Sequence, residues 1–404
     1  PAAKEDVDIH TMEEYDQGYG SIVYRTTLPG MSTKTLLTVN DVHDYARVYL
    51  DGQYIGNIDR RNDEKQIMLP PCKKGAQLDI FVEAMGRINY GIAIKDFKGI
   101  TKNVTLTVDM DGHPFVCDLK NWKVFNLGVE YEFFKNMKFK PLTQQVFAEE
   151  ERTPGCYRAT FTLDKPSDSY LNFETWGKGL VYVNGVSLGR IWEIGPQQTL
   201  YVPGCWLKKG ENEVLVFDII GPRETRSEGL AQPLLDQLQV QKPLTHRADG
   251  ESLDLKGETA VATGSFASGN GWKDVKFEKP VTGRYLCVEA LDALDGKELA
   301  CIAELYALDE NGNRISREPW TVKYADSEDV ANVNRSADKV FDLQESTYWS
   351  TVKGMPYPHA IVIDLGSKRT LTGIQYLPRM EKEVTGGIKG YKIYVKENPF
   401  QMNH

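Results

Sequence analysis

Ala46-Arg-Val-Tyr-Leu-Asp-Gly-Gln-Tyr-Ile-Gly56 returns further along the chain as Gly179-Leu-Val-Tyr-Val-Asn-Gly-Val-Ser-Leu-Gly189. Each stretch alternates up to a two-residue break, Asp51-Gly52 in the first and Asn184-Gly185 in the second. Asp-Gly and Asn-Gly supply the positive φ values that a two-residue type I′ hairpin needs, so each stretch predicts a β-hairpin. Gly56 and Gly189 follow the turn glycines by four residues, where a bulge or close sheet packing favours glycine. Val181 lies 133 residues after Val48. The same spacing carries Tyr24-Arg25 onto Tyr157-Arg158 and Leu69-Pro70 onto Val202-Pro203. After a two-residue insertion, Lys73-Lys-Gly75 meets Lys208-Lys-Gly210. An offset held constant from Tyr24 to Pro70 predicts two copies of one sandwich fold. The repeat specifies a scaffold and contains no chemistry of its own.

The rest of the chain has the same texture. β-Branched and aromatic runs bounded by Gly, Pro, Asn and Asp recur, as at Ile22 to Leu28, Leu78 to Val82, Val104 to Val108 and Glu213 to Phe217. Helical periodicity is weak, and its longest stretch is Ser227 to Gln239. The prediction is an all-β protein of sandwiches. At roughly 100–200 residues per domain, 404 residues make two to four domains. Hydrophobic residues at 41% and charged residues at 26% are ordinary for a globular chain, so disorder is expected only in linkers. A net charge of −9 without a basic stripe argues against nucleic acid, which requires clustered positive charge. No apolar run is long enough to form a transmembrane helix. Cys72, Cys117, Cys156, Cys205, Cys287 and Cys301 form no CxxC pair and are too sparse for a disulfide framework, so buried free thiols are expected.

Three motifs resemble a known family. Gln17-Gly-Tyr-Gly-Ser-Ile-Val-Tyr-Arg-Thr-Thr-Leu-Pro29 is similar to the strand that follows the catalytic barrel of family 35 glycoside hydrolases, the β-galactosidases. Gly86-Arg-Ile-Asn-Tyr-Gly91 is a second match, and Gly189-Arg-Ile-Trp-Glu-Ile-Gly-Pro-Gln-Gln-Thr-Leu-Tyr-Val-Pro203 with Leu207-Lys-Lys-Gly-Glu-Asn212 is a third. They occur in the family's order over residues 14–225. The resemblance implies two related galactose-binding-like jelly-roll sandwiches, which in that family follow a (β/α)8 barrel carrying two catalytic glutamates. This chain has no segment that alternates strand and helix as a barrel requires, so no catalytic residue is assigned. The carboxylates Glu130, Glu132 and Glu149-Glu-Glu151 read as solvated faces.

Beyond Gln239 a second resemblance appears. Arg335-Ser-Ala-Asp-Lys-Val-Phe-Asp-Leu-Gln-Glu-Ser-Thr-Tyr-Trp-Ser350 and Pro358-His-Ala-Ile-Val-Ile-Asp-Leu-Gly366 resemble the opening of discoidin, or coagulation factor 5/8 C-type, domains, whose fold is shared with family 32 carbohydrate-binding modules. Thr372 to Arg379 and Gly387 to Val395 continue the series. The usual closing half resembles upstream stretches instead: Ala262 to Phe266, Gly283 to Ala290 and Ala303 to Tyr306. The order implies a circularly permuted discoidin-like sandwich; the alternative is a separate unit over 251–315 and a truncated last domain. The boundaries read from the sequence are a linker at 1–13 from a missing N-terminal barrel, sandwiches at 14–112 and 113–225, a linker at 226–245, and the discoidin-like sandwich at 246–404.

The resemblance also implies sites. Discoidin-like domains often hold structural calcium in a loop reading Asp-Gly-Asp-x-x-Thr-x-Trp. Here Asp342 and Thr347 match, Leu343 and Gln344 replace the Gly and the second Asp, and Glu304 stands where the family has a late acidic ligand. For sugar, which is bound by an aromatic plate and a few directed polar groups, the candidates are Trp272, Tyr357, His359 and Arg379. In the first sandwich they are Asn89 and Tyr90, presented between two glycines; the matching Ile220-Gly-Pro-Arg223 of the second copy has neither Asn nor Tyr. The expected function is that of carbohydrate-binding and structural accessory domains of a retaining exo-β-galactosidase. The expected partners are galactosides and the family's barrel, in a periplasmic, extracellular or cell-surface setting. The competing reading is a free-standing carbohydrate-binding or adhesion protein.

Overall fold

The computed structural model describes residues 2–62, 64–91, 93–110, 112–148, 152–235, 245–331, 333–380 and 385–403. Among them, helix is limited to the short Tyr131–Lys135 segment and 3-10 turns such as Ala337–Phe341, and the strands pair antiparallel throughout. The chain divides into two compact units, Pro1–Leu127 with Lys242–His404, and Gly128–Gln241.

In the first sandwich a six-stranded sheet runs in the order Lys4–Asp6, Trp122–Leu127, Ser21–Thr27, Gln77–Glu83, Tyr45–Leu50, Gln53–Asp59. A four-stranded sheet, His113–Asp118, Val104–Met110, Thr35–Val39, Gln66–Leu69, completes it. Alternation buries Ile22 and Tyr24, Leu78, Ile80 and Val82, and Leu37 and Val39 in one apolar core with Trp122. Removing such side chains from water is the dominant favourable term in forming the sandwich. The boundary placed at 112/113 moves to 127/128, because His113–Asp118 and Trp122–Leu127 pair into these sheets. Residues 1–13 are not a linker: Lys4–Asp6 pairs with Trp122–Leu127, and Met12 is fully buried.

The second sandwich repeats the order of four strands of the first's larger sheet, Ser21–Thr27, Gln77–Glu83, Tyr45–Leu50 and Gln53–Asp59. Its four-stranded sheet is Gly155–Leu163, Gly210–Asp218, Lys178–Val183, Val186–Trp192, and its three-stranded sheet is Thr199–Val202, Ser169–Asn172, Glu228–Leu230. The short helix Tyr131–Lys135 covers the outer side of the larger sheet with Phe134, which is fully buried against Tyr182 and Phe217. Two expectations fail at its end. Glu228–Leu230 is an edge strand on Ser169–Asn172, not helix or linker, and Leu234 still exchanges hydrogen bonds with Gln198 and Thr199. The rest of the proposed helix, residues 236–239, and the carboxylates Glu149-Glu-Glu151 lie outside the described residues.

Both predicted hairpins form. Asp51 and Gly52 have φ of 49° and 80°, Asn184 and Gly185 of 48° and 82°. In each, the register slips at the same place, so that Val48 faces Gly56 and Val181 faces Gly189 beside a one-residue bulge. A Cβ at Gly56 would lie 2.4 Å from Ile67 Cδ1, so a side chain there would force the end of Ile67 to turn aside.

The third sandwich is built around two long strands, Lys273–Ala290 and His359–Leu377. Its main sheet runs Ala262–Ser265, Gly390–Lys396, Lys273–Ala290, His359–Leu377, Glu304–Leu308, and Thr321–Ala325 also pairs with His359–Leu377. The 251–315 stretch is therefore not a separate unit: Tyr285–Ala290 pairs with both His359–Asp364 and Tyr391–Lys396, around a core of Leu286, Ile361, Ile363, Ile393 and Trp349. The two ends of this sandwich meet, Ser252–Asp254 pairing with Gln401–Asn403. Four of the six cysteines are not buried as expected; all six are free, Cys287 and Cys301 buried, Cys205 exposed and the rest in between.

A substitution at the bulge checks this packing. Gly56→Val should lower stability to urea by about 1–3 kcal/mol, the usual penalty for overpacking. Gly86→Ala, where a Cβ meets nothing within 4 Å, should leave the midpoint unchanged.

Candidate carbohydrate and cation sites

The connection from Gln77–Glu83 to Gly99–Ile100 is long, and its ends are close together. Gly91, at φ 92°, takes the left-handed turn that carries the chain back. Asn89 and Tyr90 stand at the tip, and Tyr90 is 88% exposed. Ile94 and Phe97 on the returning limb are exposed as well, as is Tyr19. Large apolar side chains crowded on one exposed loop are the usual mark of a contact surface.

Beneath this tip lies a set of buried charges. Lys98, fully buried, reaches Asp44 at 2.7 Å and Asp96 at 2.8 Å. Arg60 bridges the other oxygens of the same two carboxylates at 2.7 and 2.8 Å. His43 Nδ1 lies 3.0 Å from Asp96, and Arg87 pairs with Glu13 at 2.6 Å. Burial alone raises the pKa of Asp96, but hydrogen bonds from Lys98 and Arg60 outweigh it and hold the carboxyl well below the usual range. None of these residues stood out in the sequence. The signal available was Asp96-Phe-Lys98, opposite charges two residues apart on one side of an extended segment, which reads equally well as a solvated face.

The sugar candidates of the third sandwich do not form one plate. His359 is fully buried, its Nδ1 2.6 Å from Asp326 Oδ2 and its Nε2 3.2 Å from the Met355 carbonyl, so it is a strut and not a surface ligand. The half-buried Trp272 has the Arg314 guanidinium 4.3 Å from its ring centroid, and its centroid is 5.6 Å from that of Tyr306. Arg379 lies over the ring of Tyr348 at 4.5 Å, and Tyr357 donates its hydroxyl to the Leu299 carbonyl at 2.5 Å. In the second sandwich, sequence reasoning missed Tyr170 and Tyr201, which face each other across strands with centroids 5.5 Å apart beside the exposed carboxylate of Asp168.

Two of the three proposed calcium ligands, Asp342 and Thr347, are in contact. Thr347 donates its hydroxyl to Asp342 Oδ2 at 2.7 Å, and the Gln344 amide donates to Oδ1 at 3.1 Å. Leu343 adopts φ 67°, the left-handed conformation for which the family loop uses glycine. Glu304 is buried, pairs through Oε2 with Arg317, and leaves Oε1 buried with no hydrogen-bond partner. Burial pushes Glu304 up to about 8; Arg317 opposes the rise and Asp342 adds to it. Burial also raises Asp342, against the pull of Lys339 at 3.5 Å. A hard cation would require more oxygens than these two carboxylates and one hydroxyl provide. Arg317 and Lys339 already face them, and among the described residues no cluster of three or more His, Cys, Asp or Glu side chains could hold a metal.

Comparison with known proteins agrees with this domain order. The model of the β-galactosidase first all-β domain matches residues 10–127, that of the β-galactosidase galactose-binding domain matches 154–212, and that of the F5/8 type C domain matches 323–401. Human β-galactosidase-1-like protein 2 is 34% identical over 204 residues, covering 50% of this chain and 30% of that protein. β-Galactosidase 17 of Arabidopsis thaliana is 34% identical over 240 residues (52% of this chain, 33% of that protein), and human β-galactosidase 36% over 211 (48% and 30%). The chain thus spans about a third or less of the length of these curated relatives. With its sheets, its hairpin repeat and these matches in one order, the chain carries the accessory all-β and galactose-binding domains of the family 35 β-galactosidases, followed by an F5/8 type C domain, and has no catalytic barrel among its described residues.

Proposed function

We propose that these domains serve a retaining exo-β-galactosidase that acts outside the cytoplasm, with the first sandwich beside a catalytic barrel and lending Tyr90 to the galactoside pocket. The observation that carries this reading is the tip of the Gly86–Gly91 loop: a tyrosine 88% exposed, on a loop anchored by buried ions. An exposed ring with a hydroxyl at its edge suits stacking on the apolar face of galactose and hydrogen bonding to its rim. The second sandwich, built to the same plan, turns at Ile219–Gly221 and displays no such residue.

Two further parts of the proposal concern the last domain. The F5/8 type C match begins at residue 323, whereas strands that complete its sheet, Lys273–Ala290 and Glu304–Leu308, precede it. That order, together with the pairing of Ser252–Asp254 to Gln401–Asn403, supports a circular permutation, which requires adjacent ends. The orphaned Glu304 Oε1, the repulsion between Glu304 and Asp342, and the Asp342–Thr347 contact support a structural calcium ion held by these three residues. For sugar binding by this domain, Trp272 and Arg379 remain as candidates; Trp272 is the half-buried aromatic ring of the two.

Tyr90→Ala, made in the protein that joins these domains to a barrel, should lower kcat/KM on a disaccharide about tenfold or more, the scale of one lost stacking and hydrogen-bonding residue. Tyr90→Phe should fall between; wild-type values for both variants would remove Tyr90 from the substrate. Calcium added after chelation should raise Tm, since a ligand of the folded state alone stabilises it, and Glu304→Gln should abolish the rise; an unchanged Tm in the unmutated chain would rule the ion out. Joining Asn403 to Ser252 and opening the chain at the Asn311–Gly312 turn restores the common strand order. The relinked chain should unfold cooperatively with a similar Tm, and loss of cooperative unfolding would count against the permutation.

A further inference from the structure

The charges beneath the Tyr90 loop do more than neutralise one another. Asp44 and Asp96 face Lys98 and Arg60, so the set is balanced, and each member also holds a backbone atom of the loop or lies one bond from a residue that does. Asp44 Oδ2 accepts the Met85 amide at 2.6 Å. Asp96 Oδ2 accepts the Ile88 amide at 3.1 Å. Lys98 Nζ donates to the Gly86 carbonyl at 3.0 Å, and Arg87, from within the loop, donates to the Asp96 carbonyl at 2.7 Å. The Lys98 amide is held in turn by the Glu13 carboxylate at 3.0 Å.

Stability alone does not account for such a set. Buried ion pairs are expensive to desolvate, and well-packed apolar residues often serve as well or better. What charge-assisted bonds add is direction: each fixes one backbone donor or acceptor at a short distance. The second sandwich supplies the comparison. Where its strand Gly210–Asp218 ends, the buried carboxylate of Asp218 accepts the amides of Gly177, Lys178, Ile220 and Gly221, and the buried Arg152 donates to the Gly221 carbonyl while pairing with Glu193 at 2.7 Å. Both copies thus tie this turn with buried charge, but only the first joins two carboxylates to two cations, Asp44 and Asp96 to Lys98 and Arg60, and it does so under the longer loop.

We infer that Asp96 and Lys98, with Asp44 and Arg60, are positioning residues: they hold residues 85–91 and 93–98 in one conformation that keeps Tyr90 outward, which rests on the reading that Tyr90 meets a galactoside. The set acts through the loop backbone and does not touch the sugar. Its members come from three places in the first sandwich, the end of the Val42–His43 strand, the turn Arg60–Asn62 and the start of Gly99–Ile100, so the loop is tied to the sheet at both of its ends.

Hydrogen exchange measured by mass spectrometry on the 404-residue chain tests this directly. Arg60 lies at the rim of the set, with 31% of its side chain exposed, so Arg60→Gln removes one bridge with little threat to the core. In Arg60→Gln and Asp96→Asn, the amides of 85–98 should exchange about tenfold or more faster, as a locally loosened segment does, while those of Ser21–Thr27 and Gln77–Glu83 keep wild-type rates. Arg60→Lys, which keeps the charge, should restore much of the protection. Unchanged exchange in 85–98 with a lowered Tm would overturn the proposal, since the ions would then be ordinary core. If Asp96→Asn does not fold, the two Arg60 variants decide. In the barrel-bearing protein, Arg60→Gln should reduce kcat/KM in the same direction as Tyr90→Ala. A loosened loop with Tyr90→Ala at wild-type activity would sink the galactoside reading and leave the positioning role standing. A reduced Tyr90→Ala beside an unreduced Arg60→Gln, with the loop loosened, would overturn the role of positioning in activity.

Discussion

Positive φ at two adjacent residues is the constraint on which the first two sandwiches rest. Asp51-Gly52 and Asn184-Gly185 turn the chain in two residues, and the twist of such a turn matches the twist of the strands it joins. Register follows at once. A slip of one residue would take Ala46, Val48 and Leu50 of Tyr45–Leu50 out of the apolar core and put Tyr45, Arg47 and Tyr49 in their place. The bulge at Gly56 and Gly189 then bends the returning strand at the same point in both copies. Gln77–Glu83 and Gly210–Asp218 then pair with the inner strand of each hairpin.

The same logic explains what could be read from the sequence. Hairpins, repeat and third-sandwich strands were legible because each leaves a chemical mark: a turn dipeptide, a constant spacing, a β-branched run. The boundary at 112/113 was misplaced because His113–Asp118 is an edge strand with its side chains largely exposed, so it shows no inward alternation. Glu228–Leu230 escaped for a like reason, being three residues long at the edge of a three-stranded sheet. His359 was a surface-ligand candidate, yet Asp326 satisfies its ring from a distant segment and lets it be buried.

Site residues were legible at the tip and not at the base. Tyr90 between two glycines is conspicuous in one dimension. Asp44, Arg60, Asp96 and Lys98 come from separate segments, and nothing local distinguishes a charge that will be buried from one that will be solvated. The Glu304, Asp342 and Thr347 trio was found only through the resemblance; Arg317, which faces Glu304, was not found, since no motif holds its place.

The meeting of Ser252–Asp254 with Gln401–Asn403 has a mechanical consequence. Ser252 pairs with Asn403, so both outer ends of this small ladder lie at the same side of it. Tension applied through those ends peels the strands apart one hydrogen bond at a time, in the manner of a zipper, and does not load the bonds together as shear would. The edge of the third sandwich is thus a soft point under traction, while the long Lys273–Ala290 and His359–Leu377 pair behind it is reached only after that edge has opened.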